Sequence, residues 1–96
     1  MDRLGYQRTI YATSTLNKWM MQVLIYMATH CADDLTIQRS KCTAKRLGAR
    51  LQCSDPVICQ AVNALKKAKL LTTTNRRRRV HYVLPTETQL ANYMPR

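Results

Sequence analysis

The sequence predicts a mainly α-helical domain with a small β-hairpin, of the α+β class. It reads as three helices plus a two-stranded hairpin, with a short C-terminal helix after them. Three observations carry that expectation. Apolar residues recur at spacings of three and four in three separate segments, the periodicity that lets a helix bury one face. Asp55-Pro56 opens the third of these segments, and proline is favoured in a first helical turn because its missing N–H has no intrahelical partner there. Beyond it, Thr72 to Thr74 and Val80 to Leu84 favour extended backbone and are joined by Asn75 and a run of four arginines.

Taken in order, residues 1–13 show mixed polarity without a clear period and read as an N-terminal arm. The domain proper is expected over residues 14–85, and residues 86–96 as a short helix and tail. A first helix should start near Ser14 or Thr15, whose hydroxyls can cap free backbone N–H groups. Leu16, Met20, Val23, Met27 and Cys31 then share one face, with Lys18, Gln22 and Thr29 opposite. Met21 and Ile25 lie beside the polar stripe. Two readings fit them: extra core contact with the N-terminal arm, or the seam of a homodimer. The apolar stretch from Trp19 to Ala28 is interrupted by Gln22 and too short to cross a bilayer, so no membrane partner is expected. It is followed by no small-residue cleavage pattern of a secretion signal.

Asp33 and Asp34 make a turn, and Leu35 to Gln38 alternates as a short strand would. A second helix fits Thr43 to Leu51, with Thr43 as cap and Ala44, Leu47 and Leu51 as its buried stripe. Gln52, Cys53 and Ser54 form a tight connection. In the third helix Ile58, Ala61, Val62, Leu65 and Ala68 repeat at helical spacing, after which Leu70 and Leu71 re-enter the core. No glycine marks that exit. Pro85 ends the hairpin, and Thr86 can cap a last helix running to Met94.

Charge narrows the function. Sixteen Lys and Arg face five Asp and Glu, for a formal net charge of +11, and such chains are drawn to polyanions. The cations concentrate between Arg39 and Arg79, where Asp55 alone opposes them. The acids are scattered, the histidines lie far apart, and no glycine loop offers a phosphate cradle, so no enzyme is expected. Cysteines at 31, 42, 53 and 59 contain no Cys-x-x-Cys pair, which argues against a zinc site. They read as reduced thiols of a cytoplasmic protein, small fillers rather than a redox sensor, and neither metal nor cofactor is expected.

Thr43-Ala44-Lys45-Arg46-Leu47-Gly48-Ala49-Arg50-Leu51, the turn Gln52-Cys53-Ser54, and Asp55-Pro56-Val57-Ile58-Cys59-Gln60-Ala61-Val62-Asn63-Ala64-Leu65 together resemble the bacterial helix-turn-helix pattern. Gly48 stands at its small position, Leu51 and Ile58 at its inner corner, and Ser54 at the cap of its second helix. With the flanking helix, short strand and basic hairpin, residues 14–85 are similar to the winged helix-turn-helix superfamily of small bacterial, phage and plasmid regulators, in which MarR-like, Rrf2-like and fimbrial-regulator families share this order. Gln52 departs from the pattern at a position where glycine is common. Cys59 and Gln60 replace the usual Ser and Arg.

That resemblance implies a sequence-specific, double-stranded DNA-binding protein of the bacterial cytoplasm or nucleoid, with a recognition helix over 54–68 in the major groove. Base readout then falls to Val57, Cys59, Gln60 and Asn63, since carboxamides match the adenine N6/N7 edge and Val57 suits a thymine methyl. Phosphate or minor-groove contacts fall to Lys41, Thr43, Ser54, Lys66, Lys67 and the wing arginines Arg76, Arg77, Arg78 and Arg79. In a two-residue repeat those four arginines cannot all point the same way. His81 is expected to pack or hydrogen-bond on the hairpin. A module that binds protein or RNA, and a plasmid or phage replication or partition protein, remain alternatives that charge alone does not separate.

Overall fold

The computed structural model describes residues 2–13 and 16–93. They form α1 (Arg3–Ala12), α2 (Lys18–His30), β1 (Thr36–Gln38), a 3-10 turn (Arg39–Cys42), α3 (Ala44–Leu51), α4 (Asp55–Lys67), β2 (Thr72–Arg76), β3 (Arg79–Val83) and α5 (Glu87–Ala91). The three strands make one antiparallel sheet in the order β1-β3-β2, so β1 adds a third strand to the hairpin. This is a winged helix.

The N-terminal arm, in which the sequence shows no clear period, contains the helix α1. Asp2 caps it by accepting the Gly5 N–H at 3.0 Å. Only Tyr6 and Ile10 are buried on it, a single pair four residues apart, too short a pattern to declare a period in the sequence. Tertiary contacts hold it. The Tyr6 hydroxyl donates to the Pro85 carbonyl, and the Arg3 guanidinium donates to the carbonyls of Ala28 and Cys31 at the end of α2. A cation there satisfies orphan carbonyls and opposes the negative end of the helix dipole.

The expected start of the next helix at Ser14 or Thr15 lies outside the described residues. The helix itself begins at Lys18, where Asn17 caps it by accepting the Met20 N–H at 2.9 Å. Leu16, Met20, Val23, Met27 and Cys31 are all buried, as their spacing predicts. Met21 and Ile25 are half-buried and pack against the core. The large apolar side chains that stay exposed among the described residues are Leu4 and Tyr11, on α1.

Around α2 the core is closed by Leu47 of α3, Ile58 and Leu65 of α4, Leu71, and Leu90 of α5, each at 2% exposure or less. Burying a side chain of that size contributes about 1.5–3 kcal/mol relative to leaving it in water. Ile37 and Tyr82, paired across β1 and β3, turn the inner face of the sheet onto this core.

The glycine-free exit of α4 has a definite form. Lys69 takes φ 59°, while the amides of Leu70 and Lys69 bond to the carbonyls of Leu65 and Lys66 at 3.0 Å. That is a Schellman closure built without glycine, with buried Leu70 and Leu65 at its two ends. The last helix is Glu87–Ala91, shorter than expected, with Thr86 and Gln89 forming a reciprocal capping box.

Candidate nucleic-acid interface

The two helices of the helix-turn-helix are set by their ends. Thr43 caps α3 by accepting the Arg46 N–H at 3.3 Å. Gln52 stands where a glycine is common, and its backbone is left-handed, φ 55° and ψ 50°. A side chain there costs about 1 kcal/mol relative to glycine, which the surrounding contacts must offset. Gly48 is required by close approach. A Cβ at this position would lie 2.7 Å from the Cys53 carbonyl oxygen, so the obstacle is the backbone of the turn. At Ser54 the structure corrects the expectation. Ser54 occupies the N-cap position of α4, but its hydroxyl makes no cap hydrogen bond; its backbone carbonyl accepts from Val57 and Ile58.

On α4, Ile58, Ala61, Val62 and Leu65 are buried. Cys59, Gln60 and Asn63 are therefore left exposed on the opposite side, and Val57 is half-buried at the edge. The wing turns at Arg77 and Arg78. Arg76 pairs with Arg79, and the two residues between them have φ 50° and 65°. Two positive φ angles in a two-residue loop define the type I′ arrangement, which favours Asn-Gly because an L side chain crowds its own backbone there. Two arginines in those positions oppose the local preference of the turn.

Between α4 and the wing runs a groove of about 800 Å³. Ile58, Val62 and Tyr82 form its floor. Cys59, Asn63 and Lys66 rise from α4 on one side and Arg78 and Arg79 from the wing on the other, with Thr43 and Arg39 at the end near α3. The Lys66 ammonium stands 5.4 Å above the Tyr82 ring, a cation–π contact that holds it over the groove. Among the described residues no acidic side chain lines this groove. Arg39, Ser40 and Tyr82 were missed as candidates. Arg39 belongs to the basic cluster visible in the sequence, but only the 3-10 turn brings it here.

The remaining candidates are dispersed. A second groove, about 680 Å³, lies along the wing and includes His30, Lys41, Arg76, Arg77 and His81. The four wing arginines thus divide between two grooves. Ser54, Gln60 and Lys67 are exposed and line neither groove, as does half-buried Val57. His81 Nδ1 lies 3.2 Å from the Arg79 carbonyl oxygen, a contact within the hairpin.

Arg76 has a partner. Its Nη1 sits 2.6 Å from Asp34 Oδ2 and 3.4 Å from Thr36 Oγ1. Hydrogen bonds from Thr36 and Arg76 draw the Asp34 carboxyl down to a pKa of about 2.

The cysteines are free thiols. Cys31 and Cys42 are buried, Cys53 half-buried and Cys59 exposed. Burial pushes the Cys42 thiol up to about 11, and it also raises Cys31, against the pull of Arg3. Among the described residues no three His, Cys, Asp or Glu side chains stand close enough to hold a metal ion, and no helix is long and apolar enough to cross a membrane.

No protein-family model matches the sequence. No curated protein matches it. Among solved structures the chain is similar to HlyU from Vibrio cholerae N16961, with a TM-score of 0.52 and 18% identity, covering 95% of this chain and 88% of that one. At that identity the likeness is one of fold, and the fold the two share is the winged helix.

Proposed function

We propose that this chain is a sequence-specific binder of double-stranded DNA that acts as a transcriptional regulator and carries no catalytic activity. The observation that supports this best is the acid-free groove between α4 and the wing, walled by cations on both sides. A duplex presents a phosphate ridge between its major and minor grooves. A channel with a helix on one bank and a hairpin on the other suits that ridge, with the helix entering the major groove and the wing the minor. Arg39, Lys66, Arg78 and Arg79 neutralise phosphates along it. Thr43, whose hydroxyl sits at the positive end of α3, adds a further contact.

Base readout falls to the exposed side of α4, with Gln60 and Asn63 as the adenine readers and Val57 and Cys59 as apolar neighbours. The test is selection from a random duplex pool by the wild type and by a Gln60→Ala/Asn63→Ala variant. Enrichment of a defined motif by the wild type, lost in the variant while random duplex is still bound, is the expected result. Enrichment that survives the double substitution would remove these two residues from the readout. A wild type that enriches nothing would refute sequence specificity. A two-fold repeated motif would add a homodimer on the site.

A further inference from the structure

We propose that Asp34 is a positioning residue for the wing: it withholds Arg76 from the nucleic acid, so that the wing presents fewer than its four arginines to phosphate. The inference rests on the duplex-binding reading above.

The geometry is that of a prepared counter-ion. Asp34 Oδ1 accepts the Thr36 hydroxyl at 2.6 Å and the Thr36 amide at 3.3 Å, so the carboxylate is locked to the start of β1. Thr36 is the one buried polar residue among the described residues, 7% exposed, and therefore a firm anchor. The second oxygen, Oδ2, is left to meet Arg76 at 2.6 Å. The register makes this pairing non-local. Thr36 is level with Val83, and Val83 with Thr72, so Arg76 lies four residues further along β2 towards the wing tip. Thr36, Val83, Thr72 and Arg76 share one face of the sheet because side chains alternate along each strand. Arg76 therefore reaches back along the outer face, away from the tip. The neighbouring acid does not compete for it, since Asp33 lies 3.7 Å from Arg3. Arg77, Arg78 and Arg79 have no acidic partner within salt-bridge distance among the described residues.

Counterion release turns this into a count. Each phosphate neutralised adds about 0.9 to the slope of log K against log salt. Duplex binding is measured by fluorescence anisotropy across a potassium chloride series, using a duplex of arbitrary sequence. Arg78→Ala should lower the slope by about 0.9. Arg76→Ala should leave it unchanged. Asp34→Asn should raise the slope by about 0.9, and tighten binding about fivefold at 0.15 M salt relative to the difference at 1 M, as the freed guanidinium finds a phosphate. Adding Arg76→Ala to Asp34→Asn should return the wild-type slope.

A merely structural role for Asp34 predicts weaker binding at an unchanged slope, and that result would overturn the proposal. So would a loss of slope in Arg76→Ala equal to that in Arg78→Ala, a comparison that does not depend on the Asp34 variant folding. If Arg78→Ala has no effect on a folded protein, the duplex reading itself falls, and this inference with it.

Discussion

Replacing Arg77-Arg78 by Asn-Gly should make the protein more stable and a worse binder at the same time. Both arginines sit at positive φ, 50° and 65°. An L residue in the left-handed region costs about 1–2 kcal/mol, glycine is free of that crowding, and asparagine tolerates it. Glycine also adds about 0.5–1 kcal/mol of unfolded-state entropy, so the net gain is about 1 kcal/mol. For a domain of this length that corresponds to a rise in Tm of about 4–8 °C. The same change removes two cations from the wing tip. If both contact phosphate, the salt slope falls by about 1.8 and affinity at 0.15 M drops about thirtyfold relative to the change at 1 M.

Thermal unfolding by circular dichroism and anisotropy titrations in a salt series read the two halves. Arg77→Ala/Arg78→Ala is the control: it removes the same charge but keeps an L side chain at each position. It should lose the same slope without gaining Tm. A fall in Tm on the Asn-Gly change would refute the turn geometry. A slope that does not move would show that the tip arginines meet no phosphate. Opposite signs in the two measurements are what the structure predicts, because the residues that fit the charge pattern do not fit the turn.

Gly48→Ala should destabilise the domain by about 1 kcal/mol. The new Cβ would press on the Cys53 carbonyl at 2.7 Å, an overpacking cost of about 1–3 kcal/mol that exceeds the roughly 1 kcal/mol gained in helix propensity; a higher Tm would contradict this. The caps should separate cleanly in chemical denaturation. Thr43→Ala should lose about 1 kcal/mol, whereas Ser54→Ala, with no cap bond to lose, should stay within about 0.5 kcal/mol; equal losses would restore Ser54 as a working cap. Exposed Cys59 should be alkylated by iodoacetamide faster than buried Cys31 and Cys42, as read by mass spectrometry of the labelled peptides. Saturating duplex should protect it, and undiminished labelling in the bound state would take this side of α4 out of the interface.

Much of the scaffold was legible because it depends on local rules. The buried stripes of α2, α3 and α4 follow from spacing, and each predicted face of those helices is buried or half-buried. Thr43 and Thr86 cap where their hydroxyls suggested. The hairpin strands follow from alternation and β-branching. By contrast, α1 has one buried pair, Tyr6 and Ile10, and is held by Arg3 and Tyr6 bonding to residues far along the chain. Ser54 satisfied every local requirement of a cap and has the extended backbone of one, yet its hydroxyl makes no cap hydrogen bond.

For the candidate site the division is similar. Sequence alone determined that the chain is strongly basic, that its cations cluster from Arg39 to Arg79, and that Cys59, Gln60 and Asn63 stand opposite a buried helical face. These are properties of charge and of the 3.6-residue repeat, and they need no knowledge of distant partners. Which cations act together was decided by the tertiary structure. The register of β1 on β3 brings Asp34 and Thr36 to Arg76. The type I′ turn divides the arginine run between two grooves, and the 3-10 turn carries Arg39 to the edge of the nearer one. A run of identical residues has no internal signal to distinguish its members; only the groups that the folded chain places beside each one can do so.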